Sequence, residues 1–308
     1  MRANAAPRLQ VLAAALLFSS GGAAIKAISM SPWQTAAVRS SIAAVALYVF
    51  MPSWRRGWTR RTLVVGLAYA ATMVLFVLGN RLTTNANIIF LQATAPLYLL
   101  FVGPLLLREK IGRREVAVAA ALGFGMALFF IGFEDPQVTA PNPRLGNILG
   151  VFAGLSWALS LAGLRWLGRD TPVPGTDPAG SAVIVGNVFA ALACLPFVFP
   201  FGSPTAIDWT LATGLGLFQI GLAYVFMTRG VRTIGAFEAS LLLIVEPVAA
   251  VFWTWLVHGE RPGNWALVGC VVILFATVFN TFSGRQRPTL QPEGGSAHNP
   301  GSFPGSRR

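Results

Sequence analysis

The sequence predicts an all-α polytopic membrane protein of ten transmembrane helices, arranged as two inverted five-helix repeats around a central cavity. Three observations predict it. Of 308 residues, 55% are hydrophobic and only 11% are charged, where a soluble domain carries roughly 25% charged residues. A domain of this size still exposes about a quarter of its unfolded-chain surface, so so much apolar area requires lipid as the solvent. The apolar residues are gathered into ten runs near the roughly 20-residue length that spans a bilayer. Finally, the second half of the chain repeats the first.

The runs lie at 9–27, 32–51, 62–80, 84–106, 115–133, 146–166, 180–201, 209–228, 233–257 and 264–282. Lipid offers no partners for backbone N–H and C=O groups, so each must be a helix. The first is Ala-rich and follows Arg2 and Arg8, which also describes a signal peptide; the repeat needs this segment as a structural partner and argues for its retention. The second carries Arg39, and the third a stripe of Tyr69, Met73 and Phe76. On the fourth, Asn87, Leu91, Thr94 and Tyr98 share one face at helical spacing, with Pro96 among them. The fifth is plainly apolar. The sixth holds Gly146, Gly150 and Gly154, a stripe that admits a close neighbour, followed by Trp157. The seventh and tenth hold Cys194 and Cys270, with no CxxC and no ligand spacing. The eighth holds Gln219 and Tyr224, and the ninth Glu238, Glu246 and Pro247. Residues 283–308 are rich in Gly, Pro and Ser and read as a disordered cytoplasmic tail.

Orientation follows from charge. With the N-terminus inside, 18 of the 23 Lys and Arg residues fall on cytoplasmic segments, 4 (Lys26, Arg81, Arg144, Arg261) fall outside, and Arg39 lies within the second helix. That asymmetry is the positive-inside pattern, and it places both termini in the cytoplasm of a cell whose inner membrane the chain spans. The net charge of +12 is thereby a topology signal, and no nucleic-acid partner is implied.

The repeat is gap-free at a shift of 151 residues: Arg81 falls on Arg232, Pro96 on Pro247, Glu109 on Glu260, Lys110 on Arg261 and Gly112 on Gly263. A shift of 139 relates Phe18 to Trp157 and Lys26 to Arg165. Five helices is an odd number, so the second copy enters the membrane upside down. Such repeats allow one fold to open a midplane site first to one side and then to the other.

The segments Pro96-x12-Glu109-x2-Gly112 and Glu246-Pro247-x12-Glu260-x2-Gly263, with Arg39 in Val38-Arg39-Ser40, resemble the EamA repeat of the drug/metabolite transporter superfamily. The resemblance covers residues 9–133 as a first repeat and 146–282 as a second. It implies a ten-helix bacterial exporter of small metabolites, and the organisation is most similar to the amino-acid exporters, so neutral or aromatic amino acids are the leading class. An exporter of drugs or lipophilic cations is the alternative the same resemblance allows.

The residues expected to form the cavity are Asn87, Thr94 and Tyr98, with Trp157, Gln219, Tyr224 and Glu238. Glu238 would meet a substrate ammonium or carry a proton, unless it simply reaches water at the inner end. Glu246 is a ligand or proton carrier, or it bonds backbone groups freed by Pro247. Lys26 and Arg165 would bind a substrate carboxylate, act as gate charges, or snorkel to the headgroups. Trp157 either walls the cavity or packs as an ordinary aromatic. Arg39 is expected to be structural, Gln92 to bond between helices, and Pro96 and Pro247 to be hinges, one per half.

No GxxxxGK[ST] and no HExxH occur, and His258 and His298 make no catalytic pair. No enzyme, metal or cofactor is therefore expected. The expected partners are a small molecule and the bilayer; the sequence leaves oligomeric state open and is compatible with a monomer.

Overall fold

In a computed structural model of the chain, residues 5–102, 112–131, 136–168, 174–231 and 242–283 are described. Glu109, Lys110, Arg232 and Glu238, and the tail after residue 283, lie outside these residues.

Caps set the helix starts. A helix end leaves backbone N–H groups without partners, and side chains supply them here. The first run forms α1 (Ala6–Ser19) and α2 (Gly21–Ala27), divided at Ser20, where the hydroxyls of Ser19 and Ser20 bond back to the carbonyls of Leu16 and Leu17. Ser31 and Gln34 cap each other to open α3 (Pro32–Phe50), and Thr59 and Thr62 do the same for α4 (Arg60–Asn80). Thr84 opens α5 (Asn85–Ala93), which breaks at Thr94 before α6 (Ala95–Val102). Pro96 lacks the N–H that would bond the carbonyl of Gln92, and its ring crowds that turn, so the fourth run is two helices and not one.

After α7 (Arg113–Leu128), Asn142 caps α8 (Pro143–Leu167) and Asp177 caps α9 (Pro178–Cys194). The Thr205–Asp208 box starts α10 (Ala206–Gly214), which passes through a π-helical segment at Leu215–Leu222 into α11 (Ala223–Val231). The last helices are α12 (Val245–His258), begun after an interruption at Ile244 three residues before Pro247, and α13 (Asn264–Ser283). The described residues contain no strand beyond an isolated bridge between Gln137 and Ala140.

Among the described residues, six helical runs are long and apolar enough to cross a membrane: Ala6–Ala27, Arg60–Asn80, Asn85–Val102, Pro143–Leu167, Pro178–Phe197 and Ala206–Gly230. The outer faces of the helices carry a belt of bare apolar side chains, among them Val64, Leu67, Phe152 and Phe218 in these runs and Phe124 and Phe275 in α7 and α13. A soluble protein does not leave so much apolar surface open; a multi-pass membrane protein does.

The interior is closed through small residues, as expected where lipid removes the hydrophobic drive between helices. α4 crosses α9 where Gly66 meets Val185 and Gly186, while Gly186 meets Tyr69 and the Gly66 carbonyl. α7 crosses α13 at Gly125 and Gly269 in the same reciprocal way. A side chain at either crossing would collide with backbone, so these contacts fix how the helices surround the space between them.

Candidate functional site

The break at Thr94, the interruption at Ile244 and the π segment flank a central space. It is a cavity of ≈ 340 Å³ bounded by α1, α3, α4, α5, α6, α8, α11, α12, α13 and the π segment. Its walls are mostly apolar and aromatic: Phe18, Met73, Phe76, Phe90, Trp157 and Tyr224 stand around it. Phe18 and Tyr69 each meet the Tyr224 ring edge-on, with centroids 5.2 and 5.6 Å away. The polar lining is Gln92, Gln219, Thr277, Tyr224 and two charges, Arg39 and Glu246.

Arg39 is 1% exposed. Its guanidinium donates to the Met73 carbonyl at 3.3 Å and to Gln219 Oε1 at 3.5 Å, and its Nε has no hydrogen-bond partner. Gln219 is delivered by the π segment, whose wider turn shifts which side chains face inward; such segments recur at functional sites. The side chain of Glu246, one residue before Pro247, makes no hydrogen bond or ion pair with any described residue.

Of the residues singled out by sequence, Trp157, Gln219, Tyr224, Glu246, Pro96 and Pro247 line this cavity. Asn87, Thr94 and Tyr98 do not. Their face of α5 and α6 docks on the glycine stripe of α8: a Cβ at Gly150 would sit 2.9 Å from Leu91, and one at Gly154 would sit 2.7 Å from the Leu91 carbonyl and 3.2 Å from Tyr98. The polar groups then bond within that contact. Asn87 Nδ2 donates to Thr83 and Asn147 at 3.1 Å each, Asn147 Nδ2 donates to the Phe129 carbonyl at 2.9 Å, Thr94 donates to the Leu91 carbonyl at 2.6 Å, and Tyr98 donates to the Val151 carbonyl at 3.1 Å. Two sequence features, a polar stripe and a glycine stripe, are thus partners of one another. The opposite face, with Gln92 and Phe90, looks into the cavity, so Gln92 is wall rather than a bond between helices.

Lys26 is away from the cavity. Its ammonium pairs with Glu260 at 2.7 Å, with side chains 3% and 1% exposed, and also donates to the carbonyls of Thr83 and Thr139. Glu260 Oε1 accepts the N–H of Asn85 at the start of α5, where the helix dipole favours a carboxylate. Arg81 donates to the carbonyls of Ile25, Ile28 and Met30 at 3.0, 2.6 and 3.1 Å, satisfying the end of α2; burial holds its guanidinium below the ordinary arginine value, partly offset by Asp208. Arg165 is exposed near the far end of α8. Glu238 lies outside the described residues.

Sequence reasoning passed over Asp208, whose carboxylate accepts from the N–H and hydroxyl of Ser29 at 2.6 Å each and from Thr205. The Thr205-x-x-Asp208 spacing is a capping-box signal that marks its local role, though not its bond to Ser29. Among the described residues no three His, Cys, Asp or Glu side chains gather as a metal site would need.

A model described as the EamA-like transporter family matches the chain at residues 8–131 and again at 144–282. Similar proteins include uncharacterized transporter YetK of Bacillus subtilis, 24% identical over 273 residues that make up 83% of this chain and 79% of that one. Uncharacterized transporter sll1164 of Synechocystis is 21% identical over 76% of this chain and 71% of its own. A solved crystal structure superposes with a TM-score of 0.60 at 17% identity, over 92% of this chain and 99% of its own, a likeness of fold.

Proposed function

Because the chain belongs to the EamA-like transporter family, we propose that it is a secondary transporter that exports small metabolites, amino acids foremost, across the inner membrane by alternating access. In this reading ten helices form two inverted five-helix repeats, one for each segment the family model matches, and the positive-inside count sets both termini in the cytoplasm.

The observation that carries the reading is the ≈ 340 Å³ cavity, walled by helices from both matched segments. Its volume is at the low end of the roughly 300–1,000 Å³ typical of small-molecule sites, which suits a single amino acid better than a bulky drug. The aromatic walls favour neutral and aromatic side chains. Trp157, Tyr224 and Glu246 alone would also suit a lipophilic cation, but the Arg39 guanidinium in the same wall opposes one.

Alternating access draws support from the end of the molecule that holds Lys26. There the two segments are fastened by Lys26–Glu260, by Ser29–Asp208, and by Gln34 donating to the carbonyls of Val198 and Pro200 at 2.8 and 3.0 Å. By the charge count this is the outer end, and these bonds part when the site opens outward. Pro96 and Pro247, at the two helix interruptions beside the cavity, are the hinges.

The test is efflux from proteoliposomes preloaded with a panel of labelled amino acids, with and without an imposed pH gradient. Saturable efflux of neutral or aromatic amino acids is expected. Movement of a lipophilic cation with no amino acid moving would replace this reading by the drug-export one.

A further inference from the structure

We infer that Arg39 and Glu246 are the substrate-binding charges, Arg39 taking a carboxylate and Glu246 an ammonium on the same small molecule. The inference rests on the transporter reading above and assigns its recognition chemistry to residues.

Arg39 and Glu246 are the only charged groups among the described residues that line the cavity. A charge inside the bilayer is costly and marks function by default. Here neither has a counter-ion among the described residues. They do not pair with one another, and neither finds another ionised partner among the described residues. A guanidinium offers five N–H donors in a rigid fork suited to a carboxylate, yet Arg39 uses them only in long bonds to neutral acceptors, the Met73 carbonyl and sulfur and Gln219, and its buried Nε donates to nothing.

Among the described residues, the buried and half-buried charges beyond the cavity are already engaged. Lys26 has Glu260, Asp208 has Ser29 and Thr205, and Arg81 has three carbonyls. Among the described residues, what remains is one positive and one negative group in a cavity whose other walls are mostly aromatic and apolar. A ligand that is itself neutral but carries both charges cancels both at once. A net anion or a net cation would leave one of them uncompensated in a low-dielectric space, where isolated charge is most costly.

Gln219 gains a role from the same geometry. Its Oε1 accepts weakly from Arg39 at 3.5 Å, so it orients the fork without neutralising it.

The experiment is competition for uptake of a labelled zwitterionic amino acid into proteoliposomes holding the full chain, using three unlabelled probes: the same amino acid, its methyl ester and its N-acetyl derivative. The wild-type protein should prefer the zwitterion over each singly charged analogue by roughly tenfold or more, the scale for truncating one half of a buried charge pair. Glu246→Gln should lose that preference against the N-acetyl form while still rejecting the ester, and Arg39→Gln should do the reverse. The wild-type probe series stands even if a variant fails to fold. Equal competition by all three probes on the wild type overturns the inference while leaving amino-acid export intact. Overturned too is the role of Glu246 if Glu246→Gln keeps exchange and affinity but loses only the drive from a pH gradient, since the carboxylate would then be a proton carrier. If the labelled amino acid does not move at all, the export reading fails and this assignment with it.

Discussion

Replacing Glu260 by Gln tests how the Lys26 end of the molecule is held. The substitution keeps an oxygen for the Asn85 N–H and removes only the charge opposite Lys26, whose ammonium is 2.7 Å away on a side chain 3% exposed. Removing one partner of a buried ion pair costs about 3–5 kcal/mol, because the other charge stays buried. Lys26 keeps the Thr83 and Thr139 carbonyls as acceptors, so the lower end, about 3 kcal/mol, is expected. At about 2–4 °C per kcal/mol for a chain of a few hundred residues, the apparent melting temperature should fall by roughly 6–12 °C. Heating the detergent-solubilised protein and following the surviving monodisperse fraction by size exclusion measures it. Combining Glu260→Gln with Lys26→Met removes both charges and should recover at least half of the loss, since a buried pair replaced by neutral groups is often no less stable than the pair. A double variant as unstable as the single one, or a single variant within about 1 °C of wild type, would refute the argument that the counter-charge is what matters.

Asp208→Ala strips the acceptor from both bonds of Ser29 and both of Thr205; because those donors are exposed and water can replace the carboxylate, thermal unfolding should show only a modest loss of stability, and a loss as large as that of Glu260→Gln would refute this reading. Gly154→Ala would set a methyl 2.7 Å from the Leu91 carbonyl, so it should cost about 1–3 kcal/mol through forced separation of α5 and α8; Gly214→Ala, with nothing within 4 Å, should stay within about 0.5 kcal/mol of wild type. Pro96→Ala restores a backbone N–H at the α5–α6 break. If the break serves as a hinge, transport turnover in proteoliposomes should drop several-fold with the half-saturation concentration little changed; equal turnover would assign the proline to packing alone.

For the described residues, which segments become helices was largely legible in the chain, although the first and fourth runs each divide in two. Ser31 with Gln34 and Thr205 with Asp208 are local signals because a cap and its helix are neighbours in sequence. Bilayer residence followed from composition alone, since no rearrangement of 308 residues with 11% charge provides a soluble surface. Pro96 and Pro247 announced interruptions because a missing N–H is a property of the residue itself.

The direction in which each helical face points was decided only by tertiary structure. Periodicity put Asn87, Leu91, Thr94 and Tyr98 on one stripe, but a stripe does not name its neighbour, and the glycines of α8 drew that face out of the cavity. In lipid the outside of a helix is as apolar as its core, so the contrast that marks the inner face of a soluble helix is largely missing. The same reason hid Arg39, which resembles any interfacial arginine until the π segment brings Gln219 beside it and Glu246 appears in the same cavity. Lys26 and Glu260 are 234 residues apart in sequence; their partnership belongs to the packing of α2 against the start of α5 and the turn after α12, a non-local choice that no window of the sequence contains.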